Sequence, residues 1–443
     1  MPSYGTTTPG QKGRSNYFKG FSMQSVIEEI LDLANSAPKD QDFLRVLFSP
    51  LQEGGSVPAA VILFGAGGLG TELLHTMQNH GIPVRCVCDN GLSKPGKNIS
   101  GVPVIPGKAL IDHWHGEPIL ISSRTFAADI HRQLTDMGIP EHLILCRPDN
   151  PDTPFLYSYA MVGSQTLISG FAKYYQPLSI KDILARDGDK VQTTYDLLSD
   201  EKSKKLFVTK LALLASGGNL SLLKKFITGF SEPYREFGMF GCEGTTEDRY
   251  YFDNDVLSLQ DGEIYVDVGA FDGDTILTFV AACREQGVCY DSIIAFEPDP
   301  PCFAELLNTC RDIPNTECHA MGLGDANGTV RFLTSDQEDR YHVGIEHAAG
   351  GLEVKIVTLD HFLDGKPASL IKMDPGANII PKLLNGAKKT IARHKPKLAL
   401  GVYHSLEAIY EIPLLVHSFN PGYRLYLRHG TFHLSDTDLF ATP

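Results

Sequence analysis

Residues 263–299 constrain the chain most. They read EIYVDVGAFDGDTILTFVAACREQGVCYDSIIAFEPD. A short apolar strand bearing Ile264 and Val266 ends at Asp267. Gly269 and Gly273 follow, then an amphipathic helix, a second apolar strand and the acid Glu297. That order is the first βαβ unit of a nucleoside-binding α/β sheet. The run has no close G-x-G-x-x-G, the triplet that lets backbone N–H groups touch a pyrophosphate. A nucleoside without phosphate needs only a clear path over the strand end and one acid for its ribose.

Each residue has a role in that reading. Gly269 lets the backbone pass close under the nucleoside, where a Cβ would collide. Glu297, at the end of the second strand, accepts both ribose hydroxyls. Asp272, Gly273, Asp274 and Thr275 open the helix, where acids suit the N-terminal dipole. Asp267 meets a cationic ammonium. S-Adenosylmethionine, which carries an ammonium and no phosphate, fits this set. Taken singly, the same residues are ordinary turn glycines and capping acids.

The rest of the chain divides around two βα stretches. Residues 1–57 read as a disordered tail followed by helices, with Ser25 and Glu28 predicting a capping box. Residues 58–150 alternate strand and helix as one small doubly wound, Rossmann-like domain. Residues 151–250 read as a helical linker region, with signals near 194–216 and 219–229. Residues 251–443 resume the alternation. Strands are predicted at 263–267, 292–296, 316–321, 369–373 and 397–403. Helices are predicted at 274–286, 299–310, 378–394 and 405–417. A terminal antiparallel hairpin is predicted over 423–434, turning at His429-Gly430. The fold class is α/β with two such sheets, the second finished by antiparallel strands as in a class I methyltransferase.

The stretches VDVGAFDGDT, IIAFEPDP, VTLDHFL, LIKMD and KPKLALGVYH with EIPLL resemble the FkbM family of S-adenosylmethionine-dependent methyltransferases. The resemblance covers about residues 195–440. It implies methyl transfer to an oxygen of a small metabolite, sugar or polyketide. It implies cofactor contacts for Asp267, Gly269, Phe271, Asp272, Gly273, Asp274, Thr275, Glu297 and Asp299. Gly324 and Asp325 would lie near the adenine. On the acceptor side the family has Lys-x-Asp-x-Glu-Gly-Ala-Glu, whereas this chain has Lys372-Met373-Asp374-Pro375-Gly376-Ala377-Asn378. The departure implies an altered acceptor pocket or a weakened activity.

An alcohol acceptor must lose its proton, so a base near the methyl is expected. His404, ending KLALGVYH, is the first candidate and Asp374 the second, with Lys372 beside it. A structural strand-end histidine is the competing account of His404, and Asp374 reads more as a positioning group than as a base. No cluster has metal-ligand spacing.

Gly65, Gly67 and Gly70 form a G-x-G-x-x-G between strand and helix, with Asp89 ending the next strand. This domain resembles the one that precedes sugar-nucleotide acetyltransferases. Nucleotide or sugar-nucleotide binding, an NAD-type site and a lapsed site all remain open for it. A Tyr-x-x-x-Lys for hydride chemistry is absent, which leaves an NAD-dependent oxidoreductase or epimerase without a base. A non-catalytic binding protein is the other alternative.

A net charge of −14 over 443 residues argues against a broad nucleic-acid footprint or an anionic membrane partner. Nine cysteines without a C-x-x-C pair, and no apolar leader, point to a cytoplasmic protein with reduced thiols. Its expected partner is a small-molecule acceptor, with a homo-oligomer open.

Overall fold

Runs of β-branched and aromatic residues between glycine turns make strands here, and apolar residues at 3.6-residue spacing make helices. A computed structural model describes residues 25–37, 43–51, 57–91, 93–123, 126–150, 180–216, 219–230, 251–252, 254–332, 352–375, 379–430 and 436–443, with Thr153, Leu156 and Tyr157. The expected disordered tail and the departing residues Gly376, Ala377 and Asn378 lie outside the described residues.

The first sheet comprises β1 (Val61–Phe64), β2 (Val84–Asp89), β3 (Asn98–Ile99), β4 (Val102–Pro106), β5 (Ile119–Ile121) and β6 (Ile144–Leu145), in the order β3-β4-β2-β1-β5-β6. Its pairs are parallel except β3 with β4. The central β1 is buried throughout, as a strand covered on both faces must be. The chain leaves β1 toward β2 on one side and returns to β5 on the other. A crevice therefore opens beyond the carboxyl end of β1.

The chain later forms β7 (Glu263–Val268), β8 (Tyr290–Phe296) and β9 (Thr316–His319). Then comes a small sheet of β10 (Gly322–Leu323), β11 (Gly328–Phe332) and β12 (Leu352–Val357). β13 (Leu370–Met373), β14 (Lys397–Gly401), β15 (Arg424–His429) and β16 (Thr437–Thr442) follow. Seven of these make the second sheet, ordered β15-β16-β14-β13-β7-β8-β9. It is parallel from β9 to β14 and antiparallel at β16 and β15. That is the expected class I methyltransferase arrangement, and its switch point lies between β7 and β13.

Some elements differ from the expected ones. The small sheet of β10, β11 and β12 was not expected. β15 pairs antiparallel with Thr437–Thr442, while the expected returning strand just after Gly430 lies outside the described residues. The helix expected at 378–394 is two, Ile380–Gly386 and Lys388–His394. Gly386 marks the break, because a Cβ there would overlap the carbonyl oxygen of Gly324.

Helices Ile180–Leu197, Glu201–Ala215 and Leu220–Phe230 form a layer against the second sheet. Asp200 caps the middle one through Ser203 N at 2.8 Å. Arg428 on β15 ties it down, with its guanidinium 2.7 Å from both Asp200 and Asp255. Helix Val26–Ser36 begins with the expected capping box. It buries Val26, Ile30 and Ala34 in the same core as Val208 and Leu211, and Val26 N donates to Gln192 Oε1 at 3.0 Å. The first helix thus packs on the second unit, whereas Phe43 meets His80 of the first.

Candidate functional site

The turn after β7 begins at Gly269, at φ +78°, a left-handed conformation that L side chains rarely adopt. A Cβ there would come within 3.0 Å of Asp374 O and Pro375 Cα. The turns after β7 and β13 therefore pass against each other at the switch point. Gly273, at φ +91°, opens helix Asp274–Gln286, the span expected.

Glu297 stands at the carboxyl end of β8 and is 6% exposed. Its Oε2 accepts from Phe271 N at 2.9 Å and its Oε1 from Asp299 N at 2.8 Å. Those bonds fix the carboxylate and use about half of its roughly four lone-pair sites. Burial pushes its carboxyl up to about 7, against the pull of the two amides. Phe271 contributes by backbone from a positive φ. Asp299 is buried and accepts from Cys302 Sγ at 3.2 Å. Asp272 is raised by burial and by neighbouring Asp274, and it accepts from Asp274 N.

Asp267 faces inward, which corrects its assignment to the cofactor ammonium. It is fully buried. Thr275 Oγ1 donates to Oδ2 at 2.5 Å, and Lys372 Nζ lies 3.2 Å from Oδ1. Lys372 and Asp267 are register partners on β13 and β7, so their side chains share a face. Lys372 also donates to Gly269 O at 3.0 Å. Lys372, Asp267 and Thr275 brace the turn after β7 from within the sheet.

The acceptor side gathers at the ends of β13 and β14. Asp374 accepts from His404 Nε2 at 2.8 Å, from Tyr403 OH at 2.8 Å and from Tyr251 OH at 2.9 Å. Burial opposes its charge. The His404 hydrogen bond and charge, then Lys372, then Tyr403, hold it below the usual carboxylate range all the same. An ionised Asp374 only accepts, so the His404 proton belongs on Nε2. No hydrogen bond from a described residue reaches His404 Nδ1. This is a base-and-orienter geometry. Gly401 makes room for it, since a Cβ there would overlap Asp374 Oδ1.

Gly324 and Asp325, expected near the adenine, lie at the end of the small sheet's first strand, β10. Gly324 N donates to Val357 O within the small sheet, and Asp325 is exposed. Sequence reasoning missed Tyr251, Tyr403 and Gly401. Gly401 and Tyr403 lie in the stretch KPKLALGVYH that ends at His404, and that placement was their available signal.

In the first unit, Gly65 sits at φ +126° against Ser122, and a Cβ on Gly70 would overlap Gly65 O. Gly67 faces open space, with Lys94 Nζ 3.9 Å from where its Cβ would be. Asp89 accepts from Ala66 N and Gly91 N, each at 2.7 Å. Glu297 clasps its own turn in the same way. Among the described residues, no cluster is arranged to hold a metal and no helix is long and apolar enough to cross a membrane.

This strand order, with an acid-clasped nucleoside turn at the switch point, defines a class I methyltransferase fold. The chain's C-terminal region is an FkbM methyltransferase domain, matched over residues 267–434 by the family model described as Methyltransferase FkbM domain. Residues 58–145 match a family described as C2185-like, N-terminal. The crystal structure of methyltransferase FkbM from Methylobacillus flagellatus KT is similar over 94% of this chain and 99% of its own, at 18% identity and a TM-score of 0.53, so the fold is shared. An Aeropyrum pernix fibrillarin with natively bound S-adenosyl-L-methionine aligns over 44% of this chain and 73% of its own, at 11% identity and a TM-score of 0.28. An rRNA methylase from Streptococcus thermophilus aligns over 41% and 87%, at 15% and 0.26. No curated protein matches the sequence.

Proposed function

We propose that the chain is an S-adenosylmethionine-dependent methyltransferase acting on a hydroxyl of a small metabolite or sugar. The observation that carries this is the Asp374–His404 pair, at 2.8 Å, on the strand ends beside the nucleoside turn. The residues present suit the cofactor. Glu297 keeps lone pairs for a ribose, and Gly269 keeps the strand end clear. When bound, the cofactor supplies an electrophilic methyl on a sulfonium. Glu297 and the Gly269 turn hold it in line with the acceptor. His404 takes the acceptor's proton at Nδ1. Asp374 orients the ring and stabilises the imidazolium, and its three donors make it a poor base itself.

Calorimetric titration with S-adenosylhomocysteine tests the cofactor. Binding is expected, and Glu297→Ala should weaken it about tenfold to a few hundredfold. Transfer of labelled methyl to a panel of sugars and small alcohols tests the base. On any acceptor turned over, His404→Gln should cost about 10²–10⁴ in rate with binding intact. A His404→Gln variant as fast as wild type would sink that role. Pro375, where the resembled family differs, favours a second reading, cofactor binding without turnover. Failure of every acceptor with the cofactor bound would support it.

The same reading gives the first unit a nucleotide or sugar-nucleotide ligand lying against Gly67 and Lys94. Titration with a UDP-sugar and with NADH tests it. Gly67→Val should abolish that heat without disturbing S-adenosylhomocysteine binding. The free cysteines suit a cytoplasmic setting.

A further inference from the structure

Asp374 has one neighbour that this chemistry does not yet use. Tyr251 is 1% exposed, and its ring packs against Phe252 and Phe440. The Lys372 ammonium lies 5.8 Å from the ring centroid. The Tyr251 hydroxyl reaches Asp374 Oδ2 at 2.9 Å and lies 3.4 Å from Asp438 Oδ1. One side chain therefore touches both the ion pair behind the nucleoside turn and the acid beside His404.

A phenol has one proton to give. At 2.9 Å against 3.4 Å, that proton goes to Asp374. Tyr251 thus meets Oδ2, while Tyr403 reaches both oxygens, at 2.8 Å to Oδ2 and 2.9 Å to Oδ1, and Gly401 leaves room for Oδ1. Burial, then the charge of Asp374, push the Tyr403 hydroxyl well above its ordinary range, so it stays a donor. Oδ2 thus carries both tyrosine hydroxyls, and Oδ1 is the oxygen that His404 Nε2 reaches, at 2.8 Å. Without the Tyr251 hydroxyl, Oδ2 loses one of its two anchors and the carboxylate is held less firmly about its last bond. Nε2–H then loses its fixed acceptor.

We propose that Tyr251 is a positioning residue for His404: with Tyr403 it locks the Asp374 carboxylate in the rotation that keeps the His404 proton on Nε2 and presents Nδ1 to the acceptor. The inference rests on the reading of His404 as the acceptor base.

The tautomer measurement needs no acceptor. The full chain is labelled with ¹⁵N-histidine and saturated with S-adenosylhomocysteine, which also supports the fold of weakened variants. His404→Gln assigns the signal. In wild type, neutral His404 should show a single Nε2–H tautomer. Tyr251→Phe keeps the ring and its packing but loses the hydroxyl. It should move both ring nitrogens of His404 toward the averaged shifts of mixed tautomers, with S-adenosylhomocysteine affinity unchanged. Tyr403→Phe should move them the same way. A wild-type His404 spectrum in Tyr251→Phe, with Asp374→Asn moving it, overturns the role and leaves the base reading standing. The expected spectra combined with full transfer activity in His404→Gln would overturn the base reading alone.

Discussion

Glu297 gives the sharpest test, because its buried carboxyl couples stability and binding to pH in opposite directions. Burial lifts it from 4.5 to about 7. Between those values the folded chain holds a proton that the unfolded chain has released. Stability from this group is therefore fully present below about pH 4.5 and is lost as pH rises through about 7. The shift corresponds to about 3 kcal/mol. Ligand binding should run the other way, since ribose hydroxyls donate and a carboxylate accepts better than an acid. Two charge-assisted bonds in place of two neutral ones are worth about 2 kcal/mol, or roughly thirtyfold in affinity. The assay is calorimetry with S-adenosylhomocysteine at about pH 5.5 and about pH 8.5, paired with urea unfolding of the free chain at the same values. Wild type should bind tighter and unfold more easily at the higher pH. Glu297→Gln should remove both slopes. A flat wild-type affinity, or a slope that survives in Glu297→Gln, refutes the reasoning.

Other expectations follow from the same geometry. Lys372→Met leaves the buried Asp267, its carboxyl already raised by burial, without its cation and should cost about 3–5 kcal/mol in urea unfolding, partly recovered by adding Asp267→Asn. No loss would mean the pair is not the brace it looks like. Gly70→Ala forces a methyl into the Gly65 carbonyl and should destabilise the first unit by about 1–3 kcal/mol or more. A thermal scan showing no change would contradict that packing. Arg428→Met strands Asp200 and Asp255 and should lower the denaturation midpoint more than Arg428→Lys, with S-adenosylhomocysteine affinity retained.

What the sequence shows of this fold is what lies close together along it. The strand, glycine turn and helix of 263–286 are local, and helix Asp274–Gln286 has the bounds its pattern implies. The Ser25–Glu28 capping box is equally local. Glu297 is legible as an acid at a strand end, but its second use, clasping Phe271 N and Asp299 N, is not. Asp267 illustrates the limit. Its place on β7 is readable, yet its direction depends on Lys372, more than a hundred residues away, falling opposite it in register. Tyr251 reaches Asp374 across 123 positions, and nothing near either residue announces the meeting. The glycine just before the break at Ala387 likewise answers to a distant group, the Gly324 carbonyl, which leaves no room for a Cβ at Gly386.

Helix Val26–Ser36 has a consequence for how the chain is made. It buries its apolar face against helix Glu201–Ala215, which follows about 165 residues later. At roughly 5–20 residues per second, a ribosome takes about 8–33 s to cover that distance. In that interval the whole first unit emerges and can close its sheet, while Val26, Ile30 and Ala34 wait uncovered upstream. The helical layer of residues 180–230, made before the sheet it covers, must then capture helix Val26–Ser36. A nascent-chain pause within residues 37–200 would prolong the exposure of that apolar face, and a truncation that removes it would leave a matching groove on the second unit.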